Sequence, residues 1–231
     1  MVDINSLSFD LTNCTIRVED STERRWTHRD GVAHLLKFAK RPPPWPFDLT
    51  DVDAAREFYG QQCASVGGAM LSLDVIKPND IEVLSGLFKY HAPIEGSLAM
   101  YFVGILWIPF ADCNYQLNIE ALERGTTGIR EAVVLDLSLD EKFDHASLHG
   151  VTWPKAGVDF DPIGDITTGP GREKFRQTPL FRLPSDDEQF DALFPEHPLS
   201  LVRERMARVT ETLKIDKTWL QSLKPMRIKP Q

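Results

Sequence analysis

The sequence is poor in cysteine and in anything that would cross a membrane. Its three cysteines, Cys14, Cys63 and Cys113, are odd in number and far apart, which excludes a disulfide framework and a C-x-x-C metal knuckle. A reducing, cytoplasmic setting is expected. The longest apolar run, Leu98 to Phe110, is interrupted by Gly104 and Pro109 and falls well short of the ~20 residues that span a bilayer. No membrane insertion is expected. The opening stretch MVDINSLSFDLTNC has neither a basic n-region nor an apolar h-region, so no secretory or transit leader is expected there. Bases are also in deficit: 26 Lys and Arg against 34 Asp and Glu leave a formal charge of −8. A chain of that sign repels phosphate backbones, which argues against nucleic acid as a partner.

Catalytic motifs are missing too. Gly164 to Gly171, GDITTGPG, has P-loop-like glycines, but Pro170 stands where a lysine would have to reach the phosphates. His145 and His149 are spaced for one helix face, yet Ala146 replaces the glutamate of H-E-x-x-H and Gly150 ends the segment. Neither a metal nor a cofactor is expected. No G-x-S-x-G elbow and no G-x-G-x-x-G after a strand occurs. Cys113 lies between Asp112 and Asn114 in WIPFADCNYQ; a thiolate needs a positive neighbour, and the acid raises the thiol pKa. No catalytic residue is assigned. An enzyme, such as a small hydrolase using Cys113 or a histidine (His28, His34 or His91) supplied by the fold, stands as the alternative.

What is present is an ordinary globular composition, 42% hydrophobic and 26% charged over 231 residues, enough for one substantial domain with an appendage. Short strands fill the first fifty residues, including Cys14 to Val18 and an apolar segment from Val32 to Phe38. The stretch Arg41-Pro42-Pro43-Pro44-Trp45-Pro46 forces a stiff extended connection. A helix follows from about Asp51 to Val66, with Thr50 or Asp51 as N-cap, Gly67-Gly68 as stop, and Val52, Ala55, Tyr59, Cys63 and Val66 as its apolar stripe. Four strands come next: Ala69 to Ile76, Val83 to His91, Leu98 to Ile108 and Asn114 to Leu122. Their separators are too short for helical crossovers, so the strands form an antiparallel meander.

Leu98 to Ile108 is apolar at nearly every position, which places it inside the sheet with both faces covered. Asn114 to Leu122 alternates instead: Tyr115, Leu117, Ile119 and Ala121 face one way, and Gln116, Asn118 and Glu120 the other. A further helix begins near Thr127 or Gly128. An irregular excursion runs from about Leu148 to Asp186, and Asp186-Asp187-Glu188 suits the start of a following helix. The C-terminal part is helical again, with Leu199, Val202, Met206, Val209 and Leu213 as one stripe behind Pro198 and a shorter turn from Asp216 to Leu223. From Arg203 to Lys229 there are eight bases against three acids, a basic face expected to dock on, or be solvated beside, the acidic body.

This order of elements resembles the Mog1p/PsbP-like α/β sandwich superfamily over about Leu7 to Leu139. The resemblance implies an α+β domain in which helices pack on an antiparallel sheet. Residues 1–147 would form the sandwich core, and 148–231 the excursion and C-terminal helices packed on the same domain. Members of that superfamily are mostly non-catalytic binding proteins: a GTPase-binding factor, a photosystem accessory subunit and chaperones of type VI secretion effectors. The functional expectation is a cytoplasmic protein-binding module, as adaptor, secretion-associated chaperone or immunity-type inhibitor. The half-polar strand and the proline-stiffened loop nominate Gln116, Asn118, Glu120, Trp45 and Phe47 as contacts to another protein. A self-associating homo-oligomer is a third reading.

Overall fold

Polar turns between alternating segments make the N-terminal part a run of hairpins. Leu7–Ser8 (β1), Cys14–Glu19 (β2), Glu23–His28 (β3) and Ala33–Ala39 (β4) come first, and the computed structural model describes residues 2–138, 178–216, 219 and 223–226. Asp20 closes the β2–β3 turn, its carboxylate accepting the Thr22 and Glu23 N–H groups at 2.7 Å each. The helix Val52–Ser65 (α1) starts where the Asp51 carboxylate accepts the Ala54 N–H at 3.0 Å and stops at Gly67, whose φ of +73° a residue with a Cβ adopts only under strain. Val66 belongs to the cap and not to the apolar stripe: it is 70% exposed.

The four expected meander strands are present as Ala69–Ile76 (β5), Val83–His91 (β6), Met100–Pro109 (β7) and Asn114–Leu122 (β8). β7 begins two residues later than its apolar run, because Leu98 lies in a turn where the Ser97 hydroxyl accepts the Ala99 N–H at 3.1 Å. Pro109 closes β7, with no donor to extend the ladder. Ile129–Ser138 (α2) and Pro198–Thr212 (α3) follow, and Lys214–Ile215 (β9) pairs with β1. Asp186 to Glu188 does not begin a helix: it falls in short 3₁₀ turns, with Asp186 buried. The motifs around His145, His149 and Gly164 to Gly171, and most of the turn from Asp216 to Leu223, lie outside the described residues.

The strands form one antiparallel sheet of seven in the order β2-β3-β4-β8-β7-β6-β5. Pairing of β4 with β8, from Ala33↔Glu120 to Ala39↔Asn114, joins the N-terminal hairpins to the meander. Alternate residues of β7 enter two different cores. Phe102, Leu106 and Ile108 pack with Leu117, Ile119 and α3 residues Leu199, Val202 and Val209. Trp107 packs with Leu73, Phe88 and α1 residues Ala55 and Cys63. Side chains alternate along a strand, so α1 and α3 lie on opposite faces of the sheet. The α3 stripe is as its periodicity requires: Leu199, Val202, Val209 and Leu213 are at most 1% exposed, and Met206 lies over Gly104. The result is an α+β sandwich with an antiparallel sheet.

Candidate functional site

The two faces of the sheet are not equally covered. On the side of α1, the helix packs on β5, held there by Arg56, whose Nε donates to the Leu73 carbonyl at 3.0 Å and whose guanidinium pairs with Asp53 and Asp74. The same face of β8 and β4 carries Gln116 opposite Lys37, Asn118 opposite Leu35 and Glu120 opposite Ala33. Among these Lys37 is exposed and the others half-buried, and no described helix lies over them. On the opposite face of β8, Tyr115, Leu117 and Ile119 are wholly buried.

The polar residues of β8 form a directed ladder. Glu120 is an acceptor when ionised, receiving the Tyr101 hydroxyl at 2.5 Å and Asn118 Nδ2 at 3.0 Å. Asn118 must therefore turn its carbonyl toward Gln116, whose Nε2 donates to it at 2.8 Å. One carboxylate thus fixes the orientation of both amides, and the Gln116 carbonyl at the far end of the row has no partner among the described residues.

That end of the row opens into a groove of ≈ 540 Å³ bordered by α1, the proline loop, β4 and β8, with Lys37, Arg41, Pro43, Tyr59, Trp107 and Gln116 among its walls. A second compartment of ≈ 340 Å³ shares Tyr59, Gln62, Trp107 and Gln116 and extends over Cys63, Tyr90 and Ile105. Tyr59 stacks on Trp107 with ring centroids 4.3 Å apart, and its hydroxyl accepts Trp45 Nε1–H at 2.7 Å. Trp45 and Phe47 do not project as free contacts. They stack on each other at 5.1 Å and are 9% and 5% exposed, because the stiff loop folds its aromatics under itself against α1. Trp45 borders the groove; Phe47 does not.

The reactive alternative finds little support in geometry. Burial, with the Asp112 charge beside it, pushes the Cys113 thiol up to about 11, so it is protonated at neutral pH. No described histidine bonds to it. His28 Nδ1 instead meets Asp30 Oδ1 at 2.8 Å, and His91 Nε2 lies 3.1 Å from the Thr178 carbonyl. Cys63 and Cys14 are also raised, each mainly by burial.

Three titratable groups that the sequence did not single out come together where β8, α2 and α3 meet. Donor atoms of Glu123, Glu131 and His197 lie within 4.8 Å of one another, a set that could ligate a divalent cation by type. The imidazole tautomer counts against that use. His197 caps α3 by accepting the Leu199 N–H on Nδ1 at 3.2 Å, so the neutral ring carries its proton on Nε2, the atom a metal would need. Nε2 faces Glu123 Oε1 at 3.4 Å. Burial and the Glu123 charge raise the Glu131 carboxyl above its ordinary range, so the cluster is better suited to sharing a proton than to holding a metal.

Two other buried ions brace the α3 side. Lys89, 2% exposed, meets Asp186 at 2.5 Å. The wholly buried Arg130 guanidinium donates to the Ser185 and Asp187 carbonyls, Ser200 Oγ and Asp191 Oδ1 at 2.5, 2.9, 2.8 and 2.8 Å. Much of the basic C-terminal face is docked on acids of the body: Arg203 on Asp191, Arg205 on Asp30 and Arg208 on Asp10.

Sheet, helices on both faces and a half-open polar surface together define an antiparallel α+β sandwich. No described helix is long and apolar enough to cross a membrane. No family model matches the chain, and no curated protein matches it. Among solved structures it is similar to the Saccharomyces cerevisiae Ran-binding protein Mog1p, at 9% identity and a TM-score of 0.39, over 58% of this chain and 81% of that one. No residue role is transferred to this chain by that likeness.

Proposed function

We propose that this chain is a non-enzymatic, cytoplasmic protein-binding module, of the adaptor, secretion-associated chaperone or immunity-type class, whose partner docks on the half of the sheet that α1 leaves uncovered. The ladder Gln116–Asn118–Glu120 carries this reading: three half-buried polar side chains are held in fixed orientation on a face with no described cover. Oriented polar groups beside an aromatic groove match the composition of protein interfaces, in which a few buried aromatics anchor and polar groups set register. The three cysteines are free thiols, which suits a reducing compartment.

A photo-reactive phenylalanine analogue placed at Asn118 in living cells tests the reading. It should yield a discrete adduct with another protein, whereas the same analogue at Leu193, 60% exposed and remote from the ladder in sequence, should not. No adduct at position 118, or equal adducts at both positions, would overturn it.

A further inference from the structure

Resting on that reading, we propose that the occupant of the groove is an extended acidic protein segment carrying one bulky apolar side chain. The groove changes character along its length. Among the described residues no charged side chain borders its second compartment, whose walls include Phe88, Tyr90, Ile105 and the Tyr59–Trp107 stack. That end offers ring and aliphatic surface to an apolar side chain and no partner to a charge.

The first compartment is bordered, among the described residues, by Lys37, Arg41 and a single acid, Glu23. Glu23 is already bound to Arg25 at 2.6 Å. Lys37 and Arg41 are exposed, and neither has a carboxylate partner among the described residues. Elsewhere the guanidinium groups of Arg56, Arg130, Arg203 and Arg208 are tied to acids. On a chain of formal charge −8, these two cations beside an aromatic-walled slot select carboxylates on the ligand and repel basic segments. Between the two ends stands Gln116, which borders both compartments; its carbonyl, without a partner among the described residues, can receive a main-chain N–H of a segment lying along β8. Apolar anchor, main-chain donor and flanking acid follow one another in the order an extended chain presents them.

The test pans a phage-displayed library of random peptides against the full chain, then measures synthetic copies of the enriched peptides by fluorescence anisotropy. Enriched sequences should pair Asp or Glu with a nearby Leu, Ile, Phe or Trp. Replacing the apolar residue by alanine, or using the K37E/R41E protein, should each weaken binding about tenfold or more, and added salt should weaken it further. The two changed side chains are exposed, and circular dichroism checks that the variant keeps its fold. Enrichment without acids, binding untouched by K37E/R41E, or no enrichment at all would overturn the assignment of the occupant. Each of those results leaves the Asn118 adduct free to appear, so failure of this inference and failure of the binding reading are told apart. A competing oligonucleotide that displaces the peptides better than an acidic peptide does would also count against it.

Discussion

Acidification should weaken this fold at a pH above that at which Asp10 and Asp30 protonate, and His34 is the reason. The ring lies on the α3 side of β4, 2% exposed, with Nδ1 lacking a hydrogen-bond partner among the described residues. Burial chiefly, then the positive charges of Arg205 and His28, hold its pKa down from 6.5 to about 4, against a smaller opposing pull from Asp30. A lowered pKa means that the unfolded chain takes up the proton first. The contribution is whole above pH 6.5 and is lost as the pH falls from 6.5 toward 4. At about 1.4 kcal/mol per pH unit the gap corresponds to about 3 kcal/mol, a large share of the 5–15 kcal/mol typical of a domain.

Asp10 and Asp30 are held at about 2. The Thr12 bonds to Asp10, helped by Arg208, lower the first; for Asp30, bonds from Arg205, Val32 and His28 outweigh the upward push of burial. Their losses fall at lower pH and do not overlap the His34 window. Glu131, raised mainly by burial and then by Glu123, acts in the opposite sense, since an acid with a raised pKa gains relative stability as pH falls. Urea denaturation followed by tryptophan fluorescence, on wild type and His34→Gln in parallel across that range, isolates the one ring. The wild type should lose about 2.5 kcal/mol more than the variant between pH 7.5 and 4.5, the rest of the loss falling below that range. Parallel curves would refute the assignment to His34.

Two further outcomes follow from packing. A Cβ on Gly104 would stand 2.3 Å from Met206 Sδ and 3.0 Å from Val202 Cγ1, so Gly104→Ala should cost about 1–3 kcal/mol and part of that loss should return in the Gly104→Ala/Met206→Ala chain; strictly additive losses would contradict the close approach of α3 to β7. Asp186→Ala strands the Lys89 ammonium in the interior and should cost about 3–5 kcal/mol, whereas Lys89→Met/Asp186→Leu should cost less; thermal denaturation showing equal losses would contradict a buried pair.

The meander was legible because its signal is local. Alternation and short separators delimit β5, β6 and β8, and the three-and-four spacing of Leu199 to Leu213 marks α3. The polar row of β8 was visible for the same reason, since period-two alternation assigns Gln116, Asn118 and Glu120 to one face. The fate of Trp45 and Phe47 was not legible. A proline loop rich in aromatics reads alike whether its rings point outward or fold under, and α1 and Trp107, which decide the matter, are distant in sequence. The Lys89–Asp186 pair and the Glu123–Glu131–His197 cluster were missed because their members meet only through tertiary packing. One clue existed: Lys89 continues the inward phase of Val83 and Leu87 along β6, so a buried lysine demanded a buried acid from elsewhere.

The pairing of β4 with β8 has a consequence for how the chain comes to be folded. The N-terminal hairpins are synthesised first, yet the strand that closes their edge arrives only after α1 and three intervening strands. Until then Leu36 and Phe38, buried in the finished protein, have only the N-terminal segment and the short β2–β3–β4 ribbon around them. Long-range strand pairing is slow to form, so joining the two parts of the sheet should limit the rate of folding. A growing chain halted between β4 and β8 presents an unsatisfied strand edge, the state in which a chaperone or a neighbouring nascent chain would meet it.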